Sequence, residues 1–385
     1  MLSLVCSLLC EVGGTRGKYI VQCAYLSIDI LFCRLPTRHR FPGAPHFPGY
    51  PDAMLASAMK PQRWTPPPSP ARARQTRSTP PLPAVRRIEL PGAGPEDVVL
   101  SPDGRIIAGV EGGAVLSIDP ATGEVRELAN TGGRPLGLHA DADGRVLICD
   151  FERGLLELDT EGALTVLVDE IDGERLRFAS NVVRDTDGTI YFSTSSRRYS
   201  LDEYMGDILE HSGTGRLFRR DPAGEVETLI DDLQFANGVV LAPDRSGVVV
   251  AETGGYRLTR YWLTGPKAGT QERLIENLPG FPDNLGLGSD GLIWITLPSP
   301  RNPLLDRLLP LPGVLRRIVW KLPTWVQPKP ARTVWVLAVD FDGNVVHDLQ
   351  VEGTDYSMVT GVVEQDGVLY LGSLTERAVA VSRVP

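Results

Sequence analysis

From about residue 88 onward, one hydropathy signature recurs along the chain. A short β-type run leads into an Asp-Gly turn, and a second β-type run follows. The leading runs are Asp97–Leu100, Leu136–Ala140, Asn181–Arg184, Gly238–Leu241, Leu285–Gly288 and Gly361–Glu364. Their turns are Asp103-Gly104, Asp143-Gly144, Asp187-Gly188, Asp244 with Gly247, Asp290-Gly291 and Asp366-Gly367. Asp-Gly between such runs marks a hairpin, because glycine takes a positive φ at no steric cost. Strands resume at Ile106, Val146, Ile190, Val248, Leu292 and Val368, and a third run usually follows, as in Ala114–Asp119 and Gly154–Asp159. Six such units predict an all-β fold, a six-bladed β-propeller over 88–385. A β-sandwich is the alternative, but it rarely carries six ordered copies of one hairpin. The fifth unit is interrupted by Pro298–Arg332, within which 304–322 reads as helical. Its apolar and basic mix predicts a lid, a peripheral membrane contact through 304–322, or a helical insert packed on the rim.

Composition narrows the class. Of 385 residues, 42% are apolar and 23% charged, which excludes global disorder. Forty glycines and 32 prolines without a Gly-X-Y period fit a turn-rich fold. Residues 1–58 hold five basic and three acidic residues, and 59–87 add seven basic residues and no acids. The net charge of −9 therefore conceals a body at −18 from Ile88 onward. An acidic body argues against nucleic acid as a partner. No apolar run reaches the ~18 residues of a membrane span, so the expected location is cytoplasmic, with peripheral membrane association open. Cys6, Cys10, Cys23 and Cys33 crowd the start without zinc-type spacing, and Cys149 is alone in the body. Residues 1–58 read as the product of a mis-assigned start codon, with Met54 and Met59 as alternative starts, or else as a cleaved or tethering segment. Residues 59–87 read as an extended Pro/Arg-rich arm.

In a propeller the first strand of every unit runs along the central channel. Six or seven residues before each turn Asp stand Glu96, Leu136/Gly137, Asn181, Asn237, Asp283-Asn284 and Thr360. Carboxylates and amides without histidine or cysteine suit a hard divalent cation such as Ca2+, which takes 6–8 oxygen ligands. Strand-end capping explains single instances of Asn or Asp but not four together. His139 lies slightly further along the second inner strand, where it could serve as a catalytic base or simply be a satisfied histidine. Gly286–Gly291 matches G-x-G-x-x-G but precedes a strand instead of a phosphate-facing helix, and is rejected. Ser195-Ser196 has no readable Ser-His-Asp context and reads as a pair of surface serines.

Several runs carry a resemblance. Tyr191–Ser196, Phe235–Gly238, Ala251–Thr253, Arg260–Trp262 and above all Leu278-Pro279-Gly280-Phe281-Pro282-Asp283-Asn284 resemble the strictosidine synthase-like family. Its wider superfamily of six-bladed propellers includes gluconolactonases, paraoxonases and diisopropylfluorophosphatases. The resemblance, over about Glu96 to Val384, implies a channel calcium held by Glu96, Asn181, Asn237, Asp283 and Asn284. It implies Asp283 as nucleophile or general base, with His139 an alternative base. Two departures stand out. Thr360 occupies the position of the synthase's catalytic glutamate, and Ser193-Thr194-Ser195-Ser196 replaces the family's Thr-Asp-Ser-Ser. The expected function is metal-dependent hydrolysis of a hydrophobic ester or lactone. A non-catalytic propeller with a structural metal, and an amine–aldehyde condensing enzyme, are the alternatives.

Overall fold

The computed structural model describes residues 59–322 and 331–385. Residues 1–58, read above as an extension, lie outside the described residues.

Six four-stranded antiparallel sheets succeed one another along the chain. Blade one is Val98–Leu100, Ile106–Gly109, Ala114–Ile118 and Val125–Asn130. Blade two starts with Pro135–Ala140, blade three with Ala179–Arg184, blade four with Ala236–Leu241 and blade five with Leu285–Leu287. Blade six consists of Val359–Gln365, Val368–Ser373 and Ala378–Arg383, and its outermost strand is Arg86–Glu89, the earliest described strand of the chain. Arg86 pairs with Val381 and Glu89 with Ala378, so the two ends of the repeat close the ring. The propeller therefore begins at Arg86, two residues earlier than its hydropathy suggests. Closure matters because a ring leaves no long unpaired edge.

Burial follows blade stacking. In blades one to five the second strand packs between neighbouring blades and is wholly buried, as in Val146–Asp150 and Gly247–Glu252, while in blade six Val368 and Tyr370 are half-buried. Such strands read as continuous apolar runs because both their faces are covered. Outer strands such as Val125–Asn130 are mostly exposed, which explains their weak sequence signal.

Two insertions leave the same position, between the second and third strands of a blade. Blade three sends out residues 195–214, with the helix Tyr204–Glu210, which no hydropathy signal above anticipates. Blade five sends out Pro298–Arg332, where Pro303–Leu308 and Gly313–Trp320 are helical and Pro310 and Pro312 separate them. Asn302 caps the first of these, its Oδ1 accepting from the N–H groups of Leu304 and Leu305 at 2.9 and 3.2 Å. The two insertions pack on each other. Arg316 is fully buried and donates to the Leu209 carbonyl at 2.9 Å. A Cβ on Gly206 would sit 2.4 Å from the Tyr199 ring and 3.1 Å from Trp320, so only glycine permits this approach.

The arm is docked along the propeller. Met59 is buried, Gln62 donates its N–H to Glu210 O at 2.8 Å, and Trp64 stacks on His211 at 4.1 Å. Arg72 forks onto Asp348 at 2.6 and 2.7 Å and lies 4.5 Å above the Trp335 ring.

Candidate active site

The pairing register resolves the inner strands into two rings of six residues. In blades two, three, four and six the register slips between Pro135 and Leu138, Ala179 and Val182, Ala236 and Val239, and Val359 and Val362. Such bulges re-aim side chains, here two residues at a time near the channel entrance. Register places Glu96, Leu136, Ser180, Asn237, Asp283 and Thr360 in the upper ring, and all six line one cavity. One residue deeper lie Asp97, Gly137, Asn181, Gly238, Asn284 and Gly361.

The deeper ring alternates a polar residue with a glycine, for a steric reason. A Cβ on Gly137 would lie 2.4 Å from the Asn181 Cα, one on Gly238 2.6 Å from the Asn284 carbonyl carbon, and one on Gly361 2.7 Å from the Asp97 Cα. Each glycine thus lets the next strand, which bears a polar side chain, close in. Those side chains then stitch blades together. Asp97 accepts from Leu138 N at 2.9 Å, and Asn181 accepts from Val239 N at 2.9 Å.

Above this floor the candidate residues converge. Asn284 donates to Glu96 Oε1 at 3.0 Å and accepts from Asn181 Nδ2 at 3.2 Å. Asn237 donates to Asp283 and accepts from Ser180 Oγ at 3.0 Å. The five residues suggested as metal ligands therefore form two hydrogen-bonded groups and do not lie at one height. Asn181 and Asn284 belong to the deeper ring, and Ser180, not Asn181, faces the cavity in blade three. Thr360 is in the upper ring, where its hydroxyl donates to the Glu96 carbonyl at 2.6 Å. His139 is elsewhere. It lines a second cavity of about 460 Å3 at the opposite end of the channel and lies 3.6 Å from Asp141. The structure does not bring it to Asp283. Ser195 and Ser196 are not surface serines, for both are buried. Ser195 Oγ donates to Ala236 O at 2.8 Å and Ser196 Oγ to Asp207 at 2.5 Å.

Asp97 escaped the sequence reading. It is buried beside Glu96, and its Oδ2 also accepts from Asn181 Nδ2 at 3.2 Å. Counting strictly six residues back from each turn Asp would have grouped Asp97 with Asn181 and Asn284.

Three carboxyl groups at the floor of one channel repel. Burial, then Asp283 and Asp97, push Glu96 well above the usual carboxylate range, and Arg134 offsets this in part. Burial raises Asp97 to about 7, and burial with the Asp97 charge raises Asp283 to about 8. Glu96 Oε2 has no hydrogen-bond partner in the described structure. An orphaned buried carboxylate oxygen, a second carboxylate opposite and amide oxygens between them fit a hard dication. Glu96, Asn237 and Asp283 would hold it from the upper ring, with Asn181 and Asn284 behind them. Among the described residues no three His, Cys, Asp or Glu side chains are placed to hold one metal ion by themselves, so any such centre draws on amides.

The cavity above has a volume of about 550 Å3 and an apolar wall. Phe178, Phe235 and Met358, two residues before the upper ring, all have left-handed backbone with φ of 53, 58 and 53°. This unusual conformation for bulky residues points them over the carboxylates, and all three line the cavity. The inserted helices complete the wall with Tyr204, Ile208 and Leu305.

Comparisons with known proteins identify the family and the fold. The strictosidine synthase profile matches residues 180–266, and the strictosidine synthase-like N-terminal profile matches 81–118. The chain is 35% identical over 316 residues to strictosidine synthase-like protein 6 of Arabidopsis thaliana, covering 78% of this chain and 83% of that one. It is 32% identical over 318 residues to the adipocyte plasma membrane-associated protein of Mus musculus, covering 75% of each. In fold it is similar to a gluconolactonase from Xanthomonas campestris, at 16% identity and a TM-score of 0.56 over 78% of this chain and 89% of that one. It is also similar to regucalcin, a calcium-binding protein from Agrobacterium tumefaciens, at 17% identity and a TM-score of 0.54 over 79% and 94%. The propeller, its closing strand and these matches together make the chain a member of the strictosidine synthase-like family.

Proposed function

We propose that this protein is a divalent-cation-dependent hydrolase, with Ca2+ as the cation, acting on apolar esters or lactones. One observation carries this reading. Glu96 and Asp283 face each other at the floor of an apolar cavity, neither is ion-paired among the described residues, and one Glu96 oxygen has no partner. Similarity in fold to a gluconolactonase and to a calcium-binding regucalcin supports it.

A bound dication supplies Lewis acidity toward the substrate carbonyl. The residues of the chain do the rest. Asn237 Nδ2 fixes one oxygen of Asp283 and leaves the other free toward the cavity. That oxygen accepts a proton from water as the water oxygen attacks the carbonyl carbon. The C–O bond to the leaving group then breaks, and the departing oxygen takes up the proton. Ser180, donating to Asn237, keeps the amide oriented. The phenyl groups of Phe178, Phe235 and Phe281 exclude bulk water and favour a bulky acyl or lactone group.

Amine–aldehyde condensation is the weaker reading. The sixth inner strand offers the Thr360 hydroxyl, tied to the Glu96 carbonyl, where that chemistry needs a carboxylate. Purified protein, assayed on aryl esters and lactones of increasing chain length with Ca2+ or chelator, tests the proposal. Turnover that chelator abolishes and Ca2+ restores is expected. Chelator-insensitive turnover, or none with any substrate, overturns it.

A further inference from the structure

We infer that the outward face of the fifth-blade insertion docks on an anionic lipid bilayer at the rim of the carboxylate cavity. The helix Gly313–Trp320 carries apolar side chains on both faces, with Val319 and Trp320 turned inward against the cavity and Tyr199. Arg316 is fully buried, while Val314, Leu315 and Ile318 face outward. Surface helices of soluble proteins keep their outward face polar, which this one does not. Leu304, Leu311 and Leu322 extend this face, and all six side chains are between 38% and 61% exposed. They are six of the 11 large exposed apolar side chains among the described residues, gathered into 19 positions. Scattered apolar residues need no explanation, but a contiguous patch marks an interaction surface.

Charge selects the occupant. Arg307, Arg317 and Lys321 are exposed on the same segment; Arg317 donates to the Met59 carbonyl at 2.9 Å, and none of the three forms an ion pair with a carboxylate among the described residues. The one acid nearby, Asp306, is held by Arg301 at 3.0 Å. A cationic, apolar patch on a strongly acidic body matches a bilayer with anionic headgroups, where apolar side chains enter the acyl boundary and Arg or Lys meets phosphate. A second copy of the chain would bring like charges together. Leu304 both belongs to this face and lines the cavity, so the docked surface is continuous with the cavity mouth. No helix of the described residues is long and apolar enough to cross a membrane, which makes this contact peripheral.

Docking and hydrolysis are separable by experiment. The full chain is floated with phosphatidylcholine vesicles, with and without phosphatidylserine. Binding that needs phosphatidylserine and weakens with salt is expected. Leu315→Asp and Ile318→Asp should each lower the partition coefficient roughly tenfold or more. The double change Arg307→Glu, Lys321→Glu should remove the preference for phosphatidylserine. All four positions lie outside the cavity wall, so turnover of a water-soluble ester and the melting temperature should stay at parental values. Flotation of the variants equal to that of the parent, or no flotation of the parent, overturns the inference. A concentration-dependent dimer that Ile318→Asp dissolves also overturns it, in favour of self-association. An inactive protein that still floats in this pattern refutes the hydrolase reading and leaves the docking surface standing.

Discussion

The two ends of the central channel are built from the same six strands, yet they treat charge in opposite ways. At the far end Asp141, Glu157 and Asp185 are ion-paired and Glu364 is held by backbone N–H groups. Arg184 binds Asp141 at 2.5 Å and also Glu157, Arg245 lies 3.1 Å from Asp185, and Glu364 accepts from Ser289 N at 2.8 Å and Gly367 N at 2.6 Å. At the near end Glu96 and Asp283 line the cavity beside amides and have no ion-pair partner among the described residues, Asp97 lies one residue deeper between the two cavities, and the pKa values of all three rise together. Paired charges hold blades in place. Unpaired ones in a low-dielectric pocket raise the free energy of the folded state unless something positive binds, and perturbed carboxylates of this kind cluster at functional sites. The proposed hydrolysis rests on this difference, with its chemistry assigned to the strand starts and the strand ends left structural.

The largest effect separates the two ends directly. Glu96→Gln or Asp283→Asn should lower kcat/KM for an ester or lactone by about 10²–10⁴-fold, the range for losing an acid–base group. His139→Gln, at the far end, should change it by less than about twofold. Equal losses from His139 and Asp283 would break the comparison.

Calcium sharpens it next. Binding to the folded state alone stabilises by about 2.7 kcal/mol at a hundred times Kd, so Ca2+ should raise the melting temperature. That rise should vanish in Glu96→Gln and shrink only in part in Asn237→Ala, because a carboxylate also supplies charge. Differential scanning calorimetry with and without Ca2+ reads both. No calcium effect on the parent would remove the metal from the near end.

Proton linkage gives a further check. Asp283 near 8 and Asp97 near 7 are partly protonated at neutral pH, Glu96 is shifted in the same direction by burial and its acidic neighbours, and a cation favours the ionised forms. Calcium binding at pH 7 should therefore release protons, and affinity should rise with pH through about 7 to 8. Titration calorimetry in two buffers of different ionisation enthalpy measures the release.

The smallest effect concerns the roof above the near end. Burial, chiefly, lowers His211 to about 3 from 6.5. Between those values the unfolded chain binds more protons, so stability is full above about 6.5 and falls as pH drops. The loss by pH 5.5 should be about 1 kcal/mol. Asp207, raised to about 6 by burial, gains stability over the same interval, so the parental curve alone is ambiguous. Denaturant curves of parent and His211→Asn at both pH values isolate the histidine. A pH-independent difference between them would mean that His211 is not buried as a neutral group.

The repeat was legible in the sequence because the Asp-Gly turns and the doubly buried second strands impose local, periodic constraints. Six blades, their order and the fifth-blade insertion follow from Val146–Asp150, Gly247–Glu252 and their counterparts without any knowledge of contacts. Glu96, Asn237 and Asp283 were also legible, since oxygen-bearing residues recur at a fixed distance from a turn. Only the tertiary structure decided which side of the channel each residue faces. A bulge shifts side-chain direction by one position, so Asn181 moved to the deeper ring, Ser180 took its place, and Asp97 emerged as a third acid. His139 went to the opposite opening because two further residues along a strand amount to nearly 7 Å of rise. The helix Tyr204–Glu210 and the docked arm carry no signal of their own, since seven residues and a proline-rich segment are too short or too irregular to show periodicity. Their conformations are fixed by what they pack against: Trp320 and Arg316 for the helix, Asp348 and Trp335 for Arg72 of the arm. Periodic local chemistry was written in the chain, whereas the near end's unpaired charge exists only once six distant strands share one axis.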